Sequence, residues 1–155
     1  MVTNSKTLND VKKKLSNKEN RHKPRVDDNW WEAVDQKPGV YAIFRKGRYS
    51  RPVYVGETSS LMERLRDLRN PKNHTFTSQI KKNELRGRRT LDRLRDYIEN
   101  NFVVAYASVA FGRKEIEEQL ISAWDTSKRD KHYDPKRFNK KNPRWSRAMA
   151  SIGRK

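Results

Sequence analysis

Residues 39–66 read GVYAIFRKGRYSRPVYVGETSSLMERLR, and the fold follows from how this stretch divides. GVYAIF is a short run rich in β-branched and aromatic residues, RKGRYSR is a polar turn with a glycine, and VYVGE is a second apolar run. Together they predict a β-hairpin. Both faces of the two strands carry apolar or aromatic residues, which predicts a sheet covered on both sides. TSSLMERLRDLRN then changes period. Leu61, Met62, Leu65 and Leu68 share one helical face, with Thr58 to Ser60 available as caps. Arg64 and Arg66 flank that stripe on opposite sides, and periodicity does not decide which of them faces a cleft.

Working outward, NPKNHTF interrupts the helix, and TSQIKKNELRG and TLDRLRDYIENN predict two more. Thr90 caps the second of these, with Leu91, Leu94, Tyr97 and Ile98 facing inward. Residues 102–111, FVVAYASVAF, form the most hydrophobic strand and are expected at the centre of the sheet. GRKEIEEQLISAWD follows as a helix with Ile116, Leu120, Ile121, Ala123 and Trp124 apolar. Upstream of the hairpin, Asp28 or Asn29 caps a short helix through Trp30, Trp31 and Val34, which QKPG ends.

The ends are different in character. Residues 1–28 hold eight Lys and Arg, and although Leu8, Val11 and Leu15 have helical spacing, no strong core contribution is expected of them. From Asp125 onward there are eleven Lys and Arg against three Asp. The expected architecture is a small α/β (α+β) domain: a mixed three-stranded sheet flanked by helices, with a basic arm at 1–28, a globular domain at 29–142 and a basic tail at 143–155.

Charge narrows the function classes. The chain has 37 Lys and Arg against 19 Asp and Glu, a formal charge of +18 in 155 residues. A surplus of this size points to a polyanionic partner, because neutralising phosphates releases condensed counterions. There are no cysteines, which excludes disulfides and thiolate-rich zinc sites. No apolar run approaches the length of a membrane span, and MVTNSKTLND lacks an apolar signal region. A soluble, cytoplasmic protein with no membrane partner is expected.

Glu117 is the residue that geometry alone singles out. At about 100° per residue it falls within the arc of Ile116, Leu120, Ile121, Ala123 and Trp124, whereas Glu115 and Glu118 fall outside. A carboxylate on the apolar side of a small domain is costly unless it is paired or holds a metal. A position at the helix margin, or an ion pair with one of the many arginines, is an equally good account. Tyr41 and Tyr54 are ordinary strand aromatics when taken singly, and His74 is a lone loop histidine.

In combination these residues resemble the GIY-YIG nuclease family. The resemblance rests on GVY at 39–41, YVG at 54–56, Arg64 in LMER, Glu117 in EEQLI, and PKRFN ending at Asn139, and it covers residues 38–139. Within that family the chain is most similar to the small stand-alone bacterial and phage members, which implies a bacterial or phage-infected cell. The resemblance implies a phosphodiester-cleaving site with one Mg²⁺ or Mn²⁺ held by Glu117. Arg64 is implied on the scissile phosphate, Tyr41 on the attacking water, and Tyr54 on the phosphate or that water. His74 is carried as a base-assisting residue and Glu57 as one that orients Arg64 or Tyr54. Asn139 is implied to brace the site, and the long basic insert before PKRFN is a candidate DNA-contacting element.

The leading expectation is thus an endonuclease on double-stranded DNA that nicks one strand per event. An activator protein or self-association would be needed for double-strand cleavage. Arg66, Arg86, Arg88, Arg89, Lys136, Arg137, Asn139, Lys140 and Lys141 are the expected DNA contacts. The competing expectation is a non-catalytic basic protein that binds RNA or DNA.

Overall fold

The computed structural model describes residues 5–24, 34, 36–85 and 90–124. In chain order the elements are α1 (Ser5–Ser16), β1 (Gly39–Arg45), β2 (Tyr54–Thr58), α2 (Leu61–Arg66), α3 (Thr75–Asn83), α4 (Leu91–Asn101), β3 (Phe102–Ser108) and α5 (Arg113–Trp124). Short 3-10 turns at Lys18–Asn20 and Asp67–Arg69 follow α1 and α2. The expected helix through Trp30 and Trp31 lies outside the described residues, although Val34 is described and buried.

The predicted hairpin forms, with Ile43 opposite Tyr54 and Gly39 opposite Thr58. Gly47, at a φ of 85°, lets its connection turn where an L side chain would be strained. The sheet order is β2-β1-β3 and both pairings are antiparallel, so the sheet is not mixed as expected. The reason is topological. The chain leaves β2 beside Gly39, and α2, α3 and α4 carry it back along the sheet, so β3 begins opposite Arg45 and runs against β1.

The central strand is therefore β1, and β3 is an edge. β3 is apolar because both of its faces are covered, a demand that a hydrophobic run alone does not distinguish from a central position. Its outer rim is also closed. His22 and Val104 exchange backbone hydrogen bonds of 2.8 Å in each direction, pairing the N-terminal segment with the edge.

Period-2 alternation splits the core into two layers. Tyr41, Ile43, Tyr54, Phe102 and Val104 face Leu61, Leu65, Phe76, Ile80, Leu94 and Ile98 from α2, α3 and α4. Val40, Ala42, Phe44, Val55, Val103, Ala105 and Ala107 face Val11, Leu15, Ile116, Leu120 and Trp124 from α1 and α5. Ser60 caps α2 and Thr90 caps α4, each through its hydroxyl. Leu91 is an exception to the expected inward face, being 41% exposed in the first turn of α4.

The expectation for the first residues fails at α1. Val11 and Leu15 are buried, and α1 packs on β3 over the small Ala105 and Ala107. The helix supplies cover that α5 alone does not provide for this face of the sheet. Leu15→Ala should cost about 2–5 kcal/mol by urea denaturation, whereas a free arm would tolerate it. Among the described residues, no helix is long and apolar enough to cross a membrane.

Candidate active site

Tyr41 sits in the middle of β1 with its ring leaning over β2. A Cβ built on Gly56 would lie 2.4 Å from both Cζ and Oη of Tyr41, so the glycine of YVG is the floor on which this ring rests. The Tyr54 ring lies beside it, with centroids 6.1 Å apart, and both side chains are buried.

Two groups converge on the Tyr41 hydroxyl. Arg64 Nε–H donates to Oη at 3.3 Å. His74 Nε2 lies 2.8 Å from the same oxygen. The histidine is also the N-cap of α3, and its Nδ1 accepts the Phe76 N–H at 3.1 Å. A neutral imidazole that accepts at Nδ1 must carry its proton on Nε2, so His74 is a donor to Tyr41. The Tyr54 hydroxyl is electrostatically coupled to both Tyr41 and Arg64.

The electrostatics follow from this packing. Burial, with a further push from Arg64, lowers the His74 pKa to about 3, which keeps the ring neutral. Burial raises Tyr41 well above its ordinary value, and Tyr54 raises it further, while Arg64 pulls it down. Tyr54 is raised by burial and opposed by Arg64. For Arg64, burial works against the charge, but the two tyrosines outweigh it and raise the pKa.

Arg64 is fixed at its other end by the Asn73 carbonyl, 2.7 Å from Nη1, and by Asp67 at 3.9 Å. Structure thus resolves the choice that periodicity left open. Arg64 turns to the tyrosines, and Arg66 is exposed.

Glu117 reaches the site from the opposite layer. It lies half-buried on α5, the helix that packs on β2, where the Glu57 backbone partly offsets the cost of its charge. Burial and then the neighbouring Glu57 carboxylate raise its pKa to about 7. Tyr41, Tyr54, Arg64 and His74 therefore form one cluster, with Glu117 in electrostatic reach of Tyr54 and Arg64. Glu115 is exposed, as the helix geometry required.

Glu57 does not orient Arg64 or Tyr54 as expected. Its carboxylate instead pairs with Arg113 at 2.7 Å, since β2 directs Glu57 to the α5 side while Tyr54 faces α2 and α3. Arg113 was missed in the sequence. The available signal was its spacing, one helical turn before Glu117 on the same face. Arg86, Arg88, Arg89, Lys136, Arg137, Asn139, Lys140 and Lys141 lie outside the described residues. No family model matches the chain, and neither a curated protein nor a solved structure matches it.

Proposed function

We propose that this chain is a metal-dependent endonuclease that hydrolyses DNA phosphodiester bonds, as its resemblance to the GIY-YIG family implies, in the cytoplasm of a bacterial or phage-infected cell. The observation that carries this reading is the convergence of Arg64 and His74 on the Tyr41 hydroxyl, with Glu117 brought alongside from another helix. An ordinary core does not need two donors on a buried phenol beside a carboxylate with a perturbed pKa.

Glu117 fits a divalent cation. Its carboxylate is half-buried and feels the charge of Glu57 as well, a cost that a cation bound to Glu117 would offset. Among the described residues no three His, Cys, Asp or Glu side chains gather, so water and phosphate oxygens would complete the shell of Mg²⁺ or Mn²⁺ held by Glu117. When bound, such an ion would supply positive charge that polarises the phosphate and eases deprotonation of water.

The chain's own residues account for the remaining roles. Arg64 and His74 donate to Tyr41 Oη and so oppose the burial that raises its pKa; Tyr41 positions the attacking water and would take its proton only where a bound cation lowers that pKa. His74, neutral and donating, holds that oxygen and does not act as the base. Arg64 places fixed charge at the phosphate, and Tyr54 orients its oxygen. One site per chain favours nicking, and the charge of +18 draws the polyanion with steep salt dependence.

Supercoiled plasmid incubated with the protein and Mg²⁺ or Mn²⁺ should convert to open circles, and EDTA should stop the conversion. Tight, salt-sensitive plasmid binding with no cleavage in either metal, across several plasmids, would instead favour the non-catalytic nucleic-acid-binding reading. An RNA substrate tested alongside distinguishes the sugars.

A further inference from the structure

Phe111 is 81% exposed, the most solvent-facing large apolar side chain among the described residues. Leaving a phenyl outside both cores forgoes roughly 1.5–3 kcal/mol of burial. The loop that carries it is short and tied at both ends. On one side Val109 is buried and its N–H donates to the Pro38 carbonyl at 2.9 Å. On the other, Gly112 turns the chain into α5 with a φ of 75°, and its carbonyl accepts the Ile116 N–H at 3.0 Å. The Arg113–Glu57 pair at 2.7 Å then fixes the start of the helix. Phe111 is thus held out at a defined place, which reduces the ordering cost of using it in a contact.

That place is close along the chain to Glu117. One linking residue, Gly112, and one turn of α5 separate Phe111 from Glu117, so their Cα atoms lie within roughly 13 Å. We propose that Phe111 is a nucleic-acid contact, a wedge that enters the base stack of duplex DNA within about four base pairs of the scissile phosphate. This rests on the nuclease reading above. A protein partner fits less well. A specific protein interface buries about 1,200–2,000 Å², whereas one phenyl offers about 150–250 Å². A base step needs only the ring, and the field of a chain with a charge of +18 brings the duplex to it.

The test uses the full chain, metal-free, with duplex oligonucleotides in which a fluorescent aminopurine base is moved step by step along the sequence. The wild type should brighten the probe at one step, reporting local unstacking. Phe111→Ala should lose that signal and bind about 5- to 50-fold more weakly, with the salt dependence of binding unchanged because no charge is removed. Phe111→Trp should keep both. With Mn²⁺ added back, hydrolysis of bis(para-nitrophenyl) phosphate, which has no base stack, should be the same in all three. An unchanged aminopurine profile and affinity in Phe111→Ala overturn the proposal while plasmid nicking leaves the nuclease reading intact. Loss of self-association with DNA binding unaltered overturns it in favour of a second copy. Loss of the aminopurine signal in Phe111→Ala, from a wild type that nicks no plasmid, supports the contact and removes the nuclease. A wild type that binds no nucleic acid removes both.

Discussion

Glu117→Gln will abolish metal-dependent nicking and leave a metal-free protein more stable than its parent above about pH 7. Both effects have one cause. In the native fold the Glu117 carboxylate is pushed from 4.5 to about 7 by burial and by Glu57. The folded state therefore holds that proton more tightly than the unfolded chain does. Stability falls as pH rises through the window from 4.5 to about 7. Discounted for the exposed part of the side chain, the destabilisation is about 1–3 kcal/mol, and a neutral isostere removes it. Urea denaturation in EDTA on both sides of that window measures the gain. Nicking assays measure the loss.

His74 titrates in the opposite sense and partly masks the effect in the wild type. Its pKa falls from 6.5 to about 3 on folding, so its contribution is complete above 6.5 and is lost as pH drops through that range. With Glu117 replaced, the drop on acidification should stand out. If Glu117→Gln is less stable than the parent above about pH 7, the carboxylate is satisfied where it lies, and its assignment as a poised metal ligand fails.

Arg64→Lys keeps the charge and should still lower the nicking rate about 100- to 1,000-fold, the usual cost of removing a positioned transition-state donor. The guanidinium is a bracket as well as a charge, since Nε–H holds Tyr41 Oη at 3.3 Å while Nη1 is tied to the Asn73 carbonyl at 2.7 Å. An ammonium on a flexible stem cannot make both contacts in that geometry. Plasmid affinity and its salt slope should hardly move, because the net charge is retained. Single-turnover nicking beside a binding titration separates the two. A lysine variant within about threefold of the wild-type rate would show that charge alone matters at this position.

Much of this fold is legible in local pattern. Apolar runs around Gly47 specify the hairpin, and the spacing of Leu61, Leu65 and Leu68 with Ser60 specifies α2 and its cap. Thr90 marks the start of α4 for the same reason, because capping is chemistry between near neighbours. Glu117 is legible in part, since helix periodicity places it at the apolar margin of α5. None of these depends on where the rest of the chain lies.

The remaining features required distant partners. Whether β1 or β3 is central depends on the path of α2, α3 and α4, and a strand buried on both faces reads the same in either place. Val11 and Leu15 look like sparse apolar residues in a basic arm until Ala105 and Ala107 appear beneath them. Arg64 differs from Arg66 only in having Tyr41 and the Asn73 carbonyl within reach. His74 acquires its tautomer from a helix N-terminus and its partner from a strand 33 residues away. By itself the sequence determined the elements and the chemical types present, since both are written in periods and neighbours. Which side chains meet, and with which proton between them, was decided by tertiary structure, because hydrogen bonds of about 3 Å join residues that the chain keeps far apart.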